Sequence, residues 1–341
     1  MMLRGENMYI GPLKITDKAI LAPMAGVTDF PFRQIVREIG GQLLFTEMVS
    51  SKGLVYGNQN TSNLLNFKTD KQELIGIQIF GSEAEFMKKA AVMIEKQFEP
   101  DIIDINMGCP APKIIKNEAG SALMNDVNKA EEIMKEVVNA VELPVTVKMR
   151  KGWDDNSINA VEISQMAQNA GIKAVTVHGR TREQFYKGNS DWKIFKKVKE
   201  KVKIPVIGNG DIFSPADAAE MLEETGCDAV MVARGIQGNP WLIKRVNHFL
   251  KTGELLPEPN FADKIKIALY HLQKAVNYFG EKRGIPKMRK HLSWYLKGMP
   301  YASKIKDKIN QSIDKNEVDN ILNEYLNDLR KYKKENSLSG T

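Results

Sequence analysis

The segment PVIGNGDIFSPADAAEMLEETGCDAVMVARG, Pro205 to Gly235, contains one complete strand–helix–strand unit. It opens on a short apolar run, Pro205 to Asn209, and turns through Gly208 and Gly210. A helical pattern follows from Pro215 to Glu224, and a second apolar run covers Ala229 to Ala233. Ser214 is a good helix N-cap, and Pro215 has its φ preset for the first helical position. Strands that are apolar on both faces and joined by long crossovers form parallel sheets covered by helices.

The same alternation extends outward in both directions. Short apolar runs occur at Ala19 to Met24, Leu43 to Met48, Leu74 to Phe80, Ile102 to Met107, Pro144 to Met149 and Ala174 to His178, which makes eight with the two above. Helical periodicity fills the gaps at Phe30 to Ile39, Glu83 to Gln97, Asn128 to Val141, Ser157 to Ala170 and Ser190 to Lys201. Eight units within about 240 residues predict an α/β fold closed as a (β/α)8 TIM barrel rather than an open doubly wound sheet. No GxGxxG follows the first strand, which argues against a dinucleotide-binding Rossmann domain.

In such a barrel the chemistry sits at the C-terminal ends of the strands. This chain puts Pro23 and Met24, Glu47, Gln78, Asn106 with Cys109, Lys148 with Arg150, His178 with Arg180, Asn209 with Asp211, and Arg234 at those ends. One polar residue ending a strand is often a cap, but eight ends so marked point to a site. Gly208, Gly210 and Gly235 lie after the last two strands, the usual phosphate position of this architecture, and imply a phosphorylated cofactor. Lys148 ends an apolar strand and needs an anionic neighbour, either a flavin or a carboxylate such as Glu47.

The segments LAPMAGVTD (Leu21 to Asp29), TEMVSSKGL (Thr46 to Leu54), DINMGCPAPK (Asp104 to Lys113), GSALM (Gly120 to Met124), KMRKGWD (Lys148 to Asp154), HGRTREQFYKG (His178 to Gly188), GNGDI (Gly208 to Ile212) and ARGIQGNPW (Ala233 to Trp241) resemble the tRNA-dihydrouridine synthases, the bacterial B-type above all. The resemblance implies an FMN enzyme that reduces a tRNA uridine to 5,6-dihydrouridine with NADPH, or NADH, as electron source. It implies Cys109 as the proton donor, set between Gly108 and Pro110. Pro23, Met24, Ala25, Gln78, Lys148, His178, Asn209, Gly210, Asp211, Ala233 and Arg234 are implied around the flavin, and Asn106 and Arg180 at the target nucleotide. Cys227, before the eighth strand, reads as a small buried hydrophobe.

Charge divides the chain. Of 49 Lys and Arg against 42 Asp and Glu, residues 261–341 hold 17 and 9, a surplus of eight, so the first 260 residues are nearly neutral. Gly253, Pro257 and Pro259 mark Lys251 to Asn260 as a linker between a barrel domain over 1–250 and a basic domain over 261–341. The latter reads as a small all-α bundle, with helical stretches at Met288 to Leu296, Ala302 to Ile309 and Val318 to Leu329 and a frayed end from Lys331 to Thr341. Lys and Arg interleaved with Trp294 and Tyr295 suggest a surface that neutralises tRNA phosphates and stacks on bases.

A mean hydropathy of −0.34 and 43% hydrophobic residues are those of an ordinary globular chain. No apolar run approaches the ~18 residues of a membrane span, and Met1 to Leu13 lacks a signal-peptide core, so a cytoplasmic monomer with no membrane partner is expected. Two cysteines form no disulfide framework and no metal motif, and no metal is expected. Two other readings compete: a small-molecule pyrimidine reductase of the dihydroorotate dehydrogenase type, and a non-catalytic RNA-binding barrel.

Overall fold

A computed structural model describes residues 7–58, 61, 63–65 and 74–338, with side chains up to Lys331. Eight parallel strands form the barrel: β1 (Ala19–Leu21), β2 (Leu43–Phe45), β3 (Leu74–Phe80), β4 (Ile102–Met107), β5 (Val145–Arg150), β6 (Ala174–His178), β7 (Val206–Asn209) and β8 (Ala229–Val232). Each pairs with its sequence neighbour, and β8 pairs with β1, so the sheet closes without an edge. Outside lie α1 (Phe30–Ile39), α2 (Ser51–Val55), α3 (Ala84–Phe98), α4 (Val127–Val138), α5 (Ala160–Asn169), α6 (Lys193–Lys199), α7 (Pro215–Thr225) and α8 (Leu242–Thr252). The closed (β/α)8 barrel is the architecture that the strand–helix alternation predicts.

Local chemistry explains the boundaries. Ser214 caps α7, and Asp217 returns the bond to the Ser214 amide, a reciprocal pair that satisfies two otherwise orphaned N–H groups. β1 is shorter than its apolar run because Pro23 has no N–H for the ladder. β2 stops at Phe45, and sheet pairing resumes only at Val49–Ser50, against Ile79 and Phe80.

Register puts the same face of neighbouring strands inward: Gln78 lies beside Asp104, Asp104 beside Thr146, and Asn106 beside Lys148. The lower interior is apolar, filled by Ile20, Phe45, Ile102, Ala174, Ile207 and Met231. The upper interior is polar. An antiparallel hairpin, Met8–Ile10 with Leu13–Ile15, closes the bottom with Met8, Ile10 and Ile15. Its three-residue strands are too short for apolar periodicity to reveal.

Beyond α8 the chain runs irregularly over 253–260, with the Arg245 guanidinium on the Leu256 carbonyl and the Glu258 carboxylate. Asn260 then caps the first of four helices: α9 (Phe261–Phe279), α10 (Glu281–Tyr295), α11 (Ala302–Gln311) and α12 (Lys315–Leu338). These helices have their own apolar core, including Ile265, Leu272, Met288, Leu292 and Leu322. α12 continues to Leu338, past the fraying expected from Lys331; residues 339–341 lie outside the described ones. Tyr295, expected on the RNA-facing surface, is instead fully buried and bonded to His271, and Trp294 is partly buried with its ring on His291.

At Gly76 an added Cβ would lie 2.3 Å from the buried Phe45 ring. Gly76→Ala should therefore destabilise the protein by about 1–3 kcal/mol through overpacking. The measurement is a urea melt; an unchanged midpoint would show that Phe45 has room to move.

Candidate active site

A cleft of about 410 Å3 opens at the C-terminal ends of the strands. Of the residues that the sequence nominated for the site, Glu47, Arg180 and Gly208 do not line it, whereas Pro23, Met24 and Ala25; Gln78; Asn106 and Cys109; Lys148 and Arg150; His178; Asn209, Gly210 and Asp211; and Ala233, Arg234 and Gly235 do. They converge because each lies near, at or just past the C-terminal end of its strand.

On the floor, Lys148 Nζ donates to Asn209 Oδ1 at 3.0 Å, and Asn209 Nδ2 is held by the Met231 carbonyl at 2.7 Å. Removal from water drives the Lys148 ammonium down to about 8, with Arg150 adding to the effect and Asp104 opposing it. Its nearest carboxylate influence is thus Asp104. Glu47 does not serve Lys148; it accepts from the Gly26 amide instead. Asp104 is buried between Thr146 Oγ1 at 2.6 Å and Gln78 Nε2 at 2.7 Å, and burial pushes its carboxyl up to about 6. His178 is held neutral by burial and by the surrounding Lys148, Arg150, Arg180 and Arg234 charges.

Cys109 sits in the loop after β4, half-buried at the cleft wall. Asn106 Oδ1 takes the Gly108 and Cys109 amides, and Ser121 Oγ donates to the Cys109 carbonyl at 2.9 Å. Arg150 ties this loop to the one after β6, with Nε on the Gly108 carbonyl and an amino group on the carbonyls of Thr181 and Phe185. Burial raises the Cys109 thiol above its ordinary range, outweighing the Ala111 amide and the Arg150 and Lys148 charges. The group is therefore a thiol at neutral pH, able to give a proton. Cys227 is buried, and burial raises it to about 11.

Arg180 was expected at the nucleotide, but it is buried behind the wall. Its guanidinium grips both Asp211 oxygens, at 2.9 and 2.7 Å, and the carbonyls of Lys187 and Gly188. Asp211 also takes the Ser190 amide and one Arg234 amino group at 2.9 Å, leaving Arg234 partly exposed at the mouth. Burial alone would raise the Asp211 carboxyl, but Arg180 and the Ser190 amide outweigh it and hold it below its usual range. Gly210, at φ 128°, lets the turn pass Ser190 and His178, where an added Cβ would clash.

Three exposed aromatics at the mouth went unnoticed in the sequence. Tyr186 lies under the Arg234 guanidinium at 5.1 Å, Phe213 is 5.9 Å from the same group, and Phe185 meets Tyr186 edge-on. The signal was present in HGRTREQFYKG, where two adjacent aromatics interrupt a polar loop.

The dihydrouridine synthase family model matches residues 20–331, the whole barrel and nearly all of the helical region. The chain belongs to the dihydrouridine synthase family. A probable tRNA-dihydrouridine synthase of Rickettsia bellii is 44% identical over 301 residues, 88% of this chain and 92% of that protein. The tRNA-dihydrouridine synthase B of Xanthomonas axonopodis pv. citri is 42% identical over 305 residues, 89% of this chain and 91% of its own. Among solved structures, morphinone reductase aligns with a TM-score of 0.54 at 13% identity, covering 76% of this chain and 91% of that one. At that identity the likeness is one of fold.

The Asp211 hub should be measurable. Asp211→Ala leaves buried Arg180 without its anion and should cost about 3 kcal/mol in chemical denaturation. Because the Asp211 pKa is depressed on folding, its contribution is present above the unfolded value of 3.8 and is lost as pH falls through the folded value. Asp211→Asn should accordingly flatten the stability profile below pH 3.8; an unaltered acid limb would contradict the assignment.

Proposed function

We propose that this protein reduces the C5=C6 bond of a uridine in tRNA to 5,6-dihydrouridine, with FMN as its flavin and NADPH as electron source. The observation that carries the reading is Cys109: a thiol raised by burial, held by Asn106 and Ser121 at the wall of a cleft whose floor carries Lys148. The donor set fits a flavin with its phosphate at the Arg234 end. Lys148 has Asn209 as its one hydrogen-bond partner among the described residues, and at the mouth Arg234 keeps free donors with Gly210 and Gly235 lining the cleft.

Bound flavin, once reduced, supplies hydride. Lys148 favours negative charge at the floor, and neutral His178 can hydrogen-bond there without adding a charge. Pro23, Met24 and Ala25 form one wall, and Gln78 lies deep in the cleft with an amide N–H to spare. Uracil needs hydride at C6 and a proton at C5, and the Cys109 thiol gives that proton, leaving a thiolate beside Arg150 and Lys148. A stacked uridine must be extruded to reach the cleft, at a cost of a few kcal/mol. Tyr186 and Phe213 offer flat faces for the displaced base or its neighbour.

The region over 261–341 supplies the RNA contact in this reading. Lys282, Arg283, Lys297, Lys304 and Lys308 are all exposed there, and the surplus of positive charge lies in that region. A small-molecule pyrimidine reductase has no use for such a face.

Cys109→Ala should retain the yellow flavin and its reduction by NADPH while abolishing dihydrouridine in tRNA; equal loss of both would mean a structural role. In the wild type, dihydrouridine formation should fall as pH rises through the raised thiol pKa, since only the protonated form donates. tRNA affinity should drop steeply with salt, and Lys304→Ala and Lys308→Ala should each lower the log–log slope by about 1. A slope unchanged by both substitutions would move the tRNA contact elsewhere.

A further inference from the structure

Asp104 touches neither the Cys109 loop nor open solvent, yet a continuous line of hydrogen bonds joins it to Cys109. Gln78 Nε2 donates to Asp104 Oδ2 at 2.7 Å, Asn106 Nδ2 donates to Gln78 Oε1 at 2.7 Å, and the Cys109 amide donates to Asn106 Oδ1 at 3.0 Å. The Gly108 amide joins it there at 3.2 Å, and Thr146 Oγ1 occupies the other Asp104 oxygen. Asp104, Gln78, Asn106 and Thr146 are all at least nine-tenths buried, so a partner lost from the line leaves a polar group poorly served by water.

The line has a direction. An ionised carboxylate only accepts, so Gln78 must turn its amino group toward Asp104 and its oxygen toward Asn106. Asn106 must then present its amino group to Gln78, which aims its own oxygen at the loop amides. Reversing Asn106 would set donor against donor at Cys109, and reversing Gln78 would set its amino group against that of Asn106 and its oxygen against the carboxylate. With both Oδ1 lone pairs taken by Gly108 and Cys109, Asn106 can offer the cleft only a donor.

We propose that Asp104 is a positioning residue which, through the Asp104–Gln78–Asn106 line, sets the polarity of both amides and thereby holds Cys109 in place at the cleft wall. The inference rests on Cys109 as the proton donor of the proposed function, but it concerns where the loop sits, which can be measured separately.

The test uses flavin-loaded full-length protein and reads alkylation of Cys109 by iodoacetamide, resolved by peptide mass spectrometry from buried Cys227. Asp104→Leu removes the acceptor and should change the Cys109 alkylation rate at least fivefold and lower kcat at least tenfold, with the KM for tRNA within twofold of wild type. Asp104→Asn can still accept from Gln78 while its amide donates to Thr146, and should keep the alkylation rate within threefold of wild type. The decisive pair does not depend on the Leu variant folding. Asn106→Asp sets a carboxylate against the Gln78 oxygen and should disturb alkylation as Asp104→Leu does. Adding Asp104→Asn lets the whole line reverse: the new amide at 104 donates to Gln78, and Gln78 donates to the new carboxylate at 106. That double variant should return the alkylation rate to within threefold of wild type. Failure of the double variant to recover, or wild-type alkylation in Asn106→Asp, overturns the proposal. If the rescue holds while Cys109→Ala still forms dihydrouridine, the proton-donor role fails and the positioning line stands.

Discussion

A carboxylate buried inside a barrel must be surrounded by donors, and that requirement at Asp104 organises the upper interior. Thr146 and Gln78 supply the two bonds, and Lys148 on the adjacent strand supplies the nearby positive charge. Each partner is then constrained in turn: Gln78 orients Asn106, and Lys148 is left with Asn209. Burying these groups unpaired would cost several kcal/mol in a protein whose net stability is of order ten, so the polar layer must be satisfied nearly completely. The apolar layer below it, sealed by the hairpin, provides the stability that lets the mouth carry charge.

Rigid loops above the barrel follow from the same demand for partners. Arg150 spans the loops after β4 and β6, while Asp211 gathers Arg180, Arg234 and the Ser190 amide. The buried guanidiniums of Arg150 and Arg180 are structural, but they fix the positions of the groups that face the cleft. The helical region is joined to this frame by packing as well as by the chain. Phe32 of α1 lies against the rings of His271 and His291, Lys274 pairs with Glu38, and Lys290 donates to the Gly26 carbonyl beside the β1 loop. The basic face therefore sits at a fixed place relative to the cleft.

Much of this was legible in order along the chain. Strand Ala174–His178 and the cap at Ser214 follow from local rules, and alternation along closed strands is enough to bring Gln78, Asn106, Lys148 and Asn209 to one mouth. Arg180 misled because a charged residue past a strand looks alike whether it faces substrate or a buried carboxylate; only the position of Asp211 tells them apart. Tyr295 misled because the helical face it occupies is set by α9, where His271 waits. The same holds for Glu47, whose partner is an amide in another loop.

The sequence by itself determined the barrel, the basic helical region and the set of residues at the strand ends. Those properties depend on periodicity, caps and charge, which act over a few residues. Tertiary structure alone decided which polar groups pair and which remain open to a ligand. A carboxylate's partners come from strands that lie 26 to 42 residues away in the chain, as for Asp104 with Gln78 and Thr146, and no local pattern encodes their distance. The thiol character of Cys109, the burial of Arg180 and the direction of the line from Asp104 all arise from that long-range pairing.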